Sequence, residues 1–259
     1  MKNAALFFFL TLFIFSCGKD DQVDITPKPI NPLDTITNFS GIVFAQPGIL
    51  NLNLSHYFKN EPIVYASKNF INSSGDTFNV ENFEYRVSNI YLKKSDSTWI
   101  KVGDYFLNRG TDAYLYSVNL SNIPAGIYTD LKFSMGVDSF RNHSGDQTGA
   151  LDPSLGMYWD WNSGYIFYRI FGRTNRNISY AYDIGGDANL ITYSLNLNAY
   201  KLKKNTINLD LRMDVNEMFQ NPQNFGIMAD TENIHTTFHP LLPKLVANMG
   251  DMITLTDVR

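Results

Sequence analysis

From about Phe39 onward, polar and apolar residues alternate with period two in segment after segment. "ILNLNLSHYF", "TFNVENFEYRVSNIYLKK", "TWIKVGDYFL", "AYLYSVNL" and "GIYTDLKFSMGV" all show it, and all are rich in aromatic and β-branched residues. A strand sends successive side chains to opposite faces, so this pattern predicts strands with one face in a core. Turn chemistry separates them: "NSSGD" at 72–76, "KKSDS" at 93–97, and "NIPAG" at 122–126, where Pro124 and Gly126 suit a tight turn. Later come "GYIFYRIFGR", "ISYAYDIGG", and the pair "NLITYSLNLNAY" and "NTINLDLRMDV", which read as a hairpin joined by the basic turn "KLKK". Roughly nine or ten strands with short connections predict an all-β fold, an antiparallel Greek-key-type β-sandwich with long loops. Helix is scarce. "DVNEMFQNP" predicts a turn or two, and "PLLPKLVANMG" one short C-terminal helix starting near Pro240 and closed by Gly250. The polar connection from Asp138 to Asp152 breaks the short-loop pattern, and long ordered loops are disproportionately functional.

The first residues follow a different logic. "MKNAALFFFLTLFIFSCGKDD" has one lysine, an apolar run from Ala4 to Phe15, then Ser16 and Cys17, the layout of a secretory signal; the run is too short to span a bilayer. Cys17 is the only cysteine and stands at the expected cleavage point, so residues 1–16 resemble a lipoprotein signal peptide with Cys17 lipidated. The "KDD" that follows resembles the surface-export tags of Bacteroidota lipoproteins. Acyl chains then hold the protein to a membrane, and an outer membrane lipoprotein facing the cell surface or periplasm is the expected location. Residues 17–38, polar with three prolines after Gly18, read as a flexible tether, leaving 39–259 for one domain.

Charge and cysteine usage exclude several functions. The formal charge is -4 and no basic stripe is present, so nucleic acid is not an expected partner. With Cys17 lipidated, the mature domain has no thiol for a disulfide, a nucleophile or a blue-copper centre. Nor is there a Gly-x-Ser-x-Gly elbow or a phosphate-cradling loop, so no enzymatic reaction can be written.

Three groups of residues carry candidate chemistry. In "GMYWDWNSGY", Trp159 and Trp161 sit two apart between Gly156 and Gly164. On a strand they share a face, opposite Tyr158, Asp160 and Asn162, and the ordinary reading is core packing. Next, Asp138, Asn142, Asp146 and Asp152 lie in one loop with Gly145 and Gly149. Oxygen ligands of that kind suit calcium, although the spacing is not that of an EF-hand, and Asx turns explain the same residues without a metal. Last come the histidines: His56, His143, His235 and His239, of which the last two, four apart in "HTTFH", fall on one side of a strand or helix. Imidazoles suit copper or zinc, against the plainer reading of surface histidines.

The motifs "GVDS" at 136–139, Asn142, Gly149, "LDPSLGMYWDWNSGYIF" at 151–167 and Gly172 resemble the MbnP-like family, copper-binding proteins associated with methanobactin operons and their lipoprotein relatives. "LNLSHYF", "FEYRVSNIYL" at 83–92, "PAGIYTDLKFSMGVD" and the closing "NMGDMITLTDV" extend the resemblance over nearly the whole mature domain. The resemblance implies copper as cofactor and a dihaem MauG-like peroxidase as partner, which oxidises a tryptophan to kynurenine. Kynurenine exposes an aniline nitrogen and a ketone oxygen, where indole offers a metal almost nothing. Carried onto this chain, Trp159 or Trp161 is the residue oxidised, with His56 and His235 as imidazole partners and His239 a further one. One departure stands out: relatives often show histidine where this chain has Asp183 in "YDIGG". The rival expectation is a surface interaction module, stabilised by calcium in the Asp-rich loop, that docks a protein or glycan.

Overall fold

The computed structural model describes residues 31–110, 114–227 and 233–259. The expected signal peptide, Cys17 and most of the tether lie outside these residues. In chain order the strands are β1 (Gly41–Phe44), β2 (Gly48–Phe58), β3 (Glu61–Pro62), β4 (Asn69–Ile71), β5 (Thr77–Asn79), β6 (Asn82–Lys94), β7 (Trp99–Asn108), β8 (Leu115–Ile123) and β9 (Gly126–Met135). A one-turn helix, α1 (Ser139–Asn142), opens the long loop. Beyond it come β10 (Tyr158–Asp160), β11 (Gly164–Arg173), β12 (Ser179–Gly185), β13 (Ile191–Asn196), β14 (Lys201–Lys203), β15 (Thr206–Asp214) and β16 (Ile234–His235). The chain closes with α2 (Leu242–Asn248) and β17 (Ile253–Val258).

Two sheets face each other. The larger runs β14-β1-β9-β6-β11-β12-β16, with β13 also on β9, β7 on β6 and β10 on β11; the smaller runs β17-β15-β2-β3, with β8 on β2. A separate hairpin joins β4 to β5 across the expected "NSSGD" turn. The expected all-β sandwich and short C-terminal helix are therefore present.

Alternation decides what lies between the sheets. On β2, Leu50, Leu52, Leu54, His56 and Phe58 are all buried while the residues between them are at least partly exposed. Each buried leucine contributes on the order of 2 kcal/mol. Phe83, Tyr85 and Val87 of β6 line the opposite wall, and Phe58, Phe78, Phe219 and Phe225 extend the core as a cluster of tilted and edge-on rings.

The sequence pattern and the structure differ in three places. Most pairings are antiparallel, but β2–β15, β1–β14 and β12–β16 are parallel. The segments read as one hairpin across "KLKK" instead part company: β13 pairs with β9 in the larger sheet and β15 with β2 in the smaller, while Lys201–Lys203 forms β14. Period two says which face is buried; it does not say which strand supplies the ladder. Residues 31–38, read as the end of the tether, are attached to the sandwich: the Asn31 side-chain amide donates to the Ala45 carbonyl, and Asp34 lies 3.5 Å from the Lys203 ammonium.

Candidate functional site

On β12, Tyr180, Tyr182 and Ile184 face the core, so Asp183 and Gly185 face the other side of the sheet. Register sets Asp183 opposite Arg169 of β11 on one side and His235 of β16 on the other. Arg169 Nε and Nη2 donate to the two carboxylate oxygens of Asp183 at 2.6 and 3.0 Å, and His235 Nδ1 is 3.0 Å from Oδ2. Glu84 stands 3.5 Å from Arg169 Nη1. The hydrogen bond to Asp183 holds the Arg169 pKa above its usual value. A carboxylate that accepts from Nδ1 orients the ring and leaves Nε2 as the free lone pair, the arrangement seen behind metal-binding imidazoles. Half of the His235 side chain is open to solvent.

Beside this pair rests the tryptophan hairpin. β10 is short because the Asp160 carboxylate accepts from Asn162 N at 2.8 Å and Ser163 N at 2.7 Å, which turns the chain. Trp161 therefore falls in the turn, 78% exposed, and does not share a strand face with Trp159. The Trp159 ring instead lies against Gly185, where a Cβ would come within 2.7 Å of it and 2.4 Å of the Tyr165 carbonyl. Trp159, Gly185, Asp183 and His235 thus occupy one stretch of the outer face. Neither indole is a core residue.

Arg86 holds the hairpin from below. It is fully buried, donates from Nη1 to Met157 O at 2.7 Å and Ile166 O at 2.9 Å, from Nη2 to Gly156 O at 3.2 Å, and lies 4.8 Å from the Tyr165 ring centre. Burial lowers its pKa to about 10. Gly156 and Met157 both have positive φ, a conformation that costs a non-glycine residue energy unless its surroundings enforce it. Sequence reasoning missed Arg86 and Arg169. In "FEYRVSNIYL" alternation assigns Glu84, Arg86 and Ser88 to a solvent face, yet every residue from Asn82 to Ser88 is buried, Arg86 beneath the Gly156 and Met157 carbonyls and Glu84 beside Arg169.

The other expected residues lie elsewhere. His56 belongs to the core between the sheets: Nε2 is 2.7 Å from the Tyr85 hydroxyl, Nδ1 is 2.8 Å from that of Tyr65, and burial lowers its pKa to about 4. It projects from the smaller sheet onto Phe83 and Tyr85, the opposite side of the larger sheet from Asp183, so the structure does not bring it to His235. His239 Nδ1 accepts from Leu241 N at 3.2 Å, in a recess bordered by Ala188, Phe238 and Leu242. His143 lies 3.2 Å from Asp187. In the Asp-rich loop, Asp138 caps α1 and also accepts from Asn89 and Tyr105; Asn142, buried, accepts from Tyr165 N and donates to Asp187; Asp152 caps the next turn; Asp146 is exposed. Asp138 and Asp152 thus make local Asx caps, while Asn142 and Asp138 also tie the loop to β6, β7 and β11.

Among the described residues, no three His, Cys, Asp or Glu side chains come together in a way that could hold a metal ion. The unmodified outer face offers copper one imidazole nitrogen, since Asp183 is occupied by Arg169. These donors alone do not complete a copper coordination sphere.

Fold and site together define a two-sheet sandwich carrying a tryptophan hairpin on its outer face, next to an oriented imidazole. The chain belongs to the MbnP family, whose family model matches residues 47–237, a span that includes both tryptophans, Asp183 and His235. Among solved structures it is similar to MbnP from Methylosinus trichosporium, with 13% identity, coverage of 70% of this chain and 82% of that one, and a TM-score of 0.49. A comparison with curated proteins found no match.

Proposed function

We propose that this protein is a lipid-anchored member of the MbnP family, displayed at the outer membrane, that takes up copper once Trp159 has been oxidised. His235 supplies the imidazole. Oxidised Trp159 supplies the second donor, because kynurenine exposes an aniline nitrogen that copper prefers to an indole. The oxidant is peroxide, used by a dihaem enzyme of the MauG-like class: two peroxides are reduced to water as two oxygen atoms are added and the indole C2–C3 bond is cleaved to N-formylkynurenine, and one water then hydrolyses the formyl group to release formate. Bound copper would serve as transported or stored cargo or as an electron carrier, and the protein itself performs no catalysis. The observation that carries this reading is the Asp183–His235 contact at 3.0 Å on the face where Trp159 rests on Gly185.

The test compares protein made with and without a dihaem partner. Mass spectrometry of the fragment holding both tryptophans should show Trp159, not Trp161, with one carbon exchanged for one oxygen. Only that form should retain stoichiometric copper, and His235→Ala should remove it. Copper held equally well by unmodified protein, or unaffected by His235→Ala, overturns the proposal.

A second reading has its own support. Arg169 occupies Asp183 from both oxygens and brings a positive charge to the face, while Trp161, Phe140 and Phe238 stand in solvent at 78, 76 and 89% exposure. These features suit a copper-free surface module that docks a protein or glycan.

A further inference from the structure

The outer face of the larger sheet carries a second feature that shares no side chain with the Trp159–His235 stretch. Where β6, β7, β9 and β13 lie side by side, an open groove of about 510 Å³ runs between the strands and α1. Its floor is made by cross-strand neighbours. Lys132 lies opposite Tyr91, and Ser134 opposite Thr192, their hydroxyls 2.9 Å apart. Tyr105, Phe140 and Arg141 form the wall.

Its charge runs against that of the whole chain, which is -4. Lys101 at one end is paired with Asp104 at 2.7 Å. Lys132 and Arg141 are different: among the described residues neither pairs with a carboxylate. The Lys132 ammonium stands 4.4 Å from the centre of the Trp99 ring and 5.1 Å from that of Tyr91; Arg141 donates from Nη1 to the Gln147 amide oxygen at 3.3 Å, its guanidinium 5.7 Å from the Phe140 ring centre. Asp138, the one carboxylate in the groove, is turned to the Arg141 amide, Asn89 and the Tyr105 hydroxyl. Two cations therefore face a groove that contains no anion for them, and the Phe140 ring stands in water at its lip.

We propose that this groove binds an acidic oligosaccharide. Uronate carboxylates would meet Lys132 and Arg141, a sugar ring face would lie on the exposed Phe140 ring, and sugar hydroxyls would bond to the exposed Thr192 hydroxyl. The architecture argues against the other anions. Phosphate sites commonly add backbone N–H groups at helix starts or nests to their cations, whereas here the floor is laddered sheet and Asp138 already fills the start of α1. A peptide laid across the floor would need backbone partners of its own, and the floor strands β6 and β9 offer none, since both are flanked on each side. This inference develops the interaction reading, and because the two sites are separate, loss of sugar binding and loss of copper binding can be read independently.

The experiment is a calorimetric titration of the purified protein with trigalacturonate, followed in parallel by fluorescence, since Trp99 is stacked under Lys132. Binding should weaken with added salt, and the Lys132→Gln/Arg141→Gln double variant should lose about tenfold or more in affinity, with Lys132→Arg retaining it. Arg141 is exposed and Lys132 half-buried on the outer face, so an unchanged melting temperature of the double variant is checked alongside its affinity. Absence of trigalacturonate binding, equal binding of neutral trigalactose, displacement by inorganic phosphate at the same concentration, or unchanged affinity in the double variant would each overturn the proposal.

Discussion

His56 makes the protein acid-sensitive in a window that its carboxylates do not explain. In the unfolded chain its imidazole takes up a proton at about 6.5; in the core, between the Tyr85 and Tyr65 hydroxyls, burial delays protonation to about 4. Between those values the unfolded state binds a proton that the folded state refuses, so stability is complete above 6.5 and falls as pH drops through the window. Integrated from about pH 7.5 to about pH 4.5, the loss is about 2.5 kcal/mol. Urea unfolding of the unaltered protein and of His56→Gln at both pH values isolates it. The variant has a constant packing defect but no titrating ring, so the stability gap between the two proteins should narrow by about 2.5 kcal/mol at the lower pH. A gap that stays constant within about 0.5 kcal/mol would refute the reasoning, as would an NMR titration placing the folded His56 near the value for a free imidazole.

Three further outcomes follow from the same geometry. Arg86→Met removes the donors to the Gly156, Met157 and Ile166 carbonyls; a loss of about 3–5 kcal/mol is expected, seen as a melting temperature lower by about 6–20 °C, with Trp159 emission shifted to the red. Gly185→Ala drives a methyl against Tyr165 O and the Trp159 ring; it should cost about 1–3 kcal/mol and displace the indole, so a variant with unchanged fluorescence and stability would contradict the packing described. Because the oxygens of Asp138, Asn142 and Asp152 already accept hydrogen bonds from protein donors, removing or adding calcium should leave the melting temperature unchanged within about 1 °C. A rise of several degrees with calcium would show that the loop binds it.

Much of the architecture was legible in the chain. Alternation marked β2, β6 and β9, the turn residues at 72–76, 93–97 and 122–126 marked the links β4–β5, β6–β7 and β8–β9, and "PLLPKLVANMG" marked α2. The motif around Trp159 and Trp161 was legible as well, enough to point to the family to which the chain belongs. The site's membership was less so. His56 and His235 look alike in a one-dimensional reading, and Asp183 looks like the loss of a ligand.

Local sequence determined which residues form strands and which side chains alternate, because period two is a property of the extended backbone itself. Only the tertiary structure decided which strands became neighbours, since pairing joins residues far apart in the chain and no local pattern encodes the partner. That choice set His56 in the core and His235 outside, aligned Asp183 between Arg169 and His235, folded the 136–160 segment over Arg86, and turned Trp161 to solvent while Trp159 came to rest on Gly185.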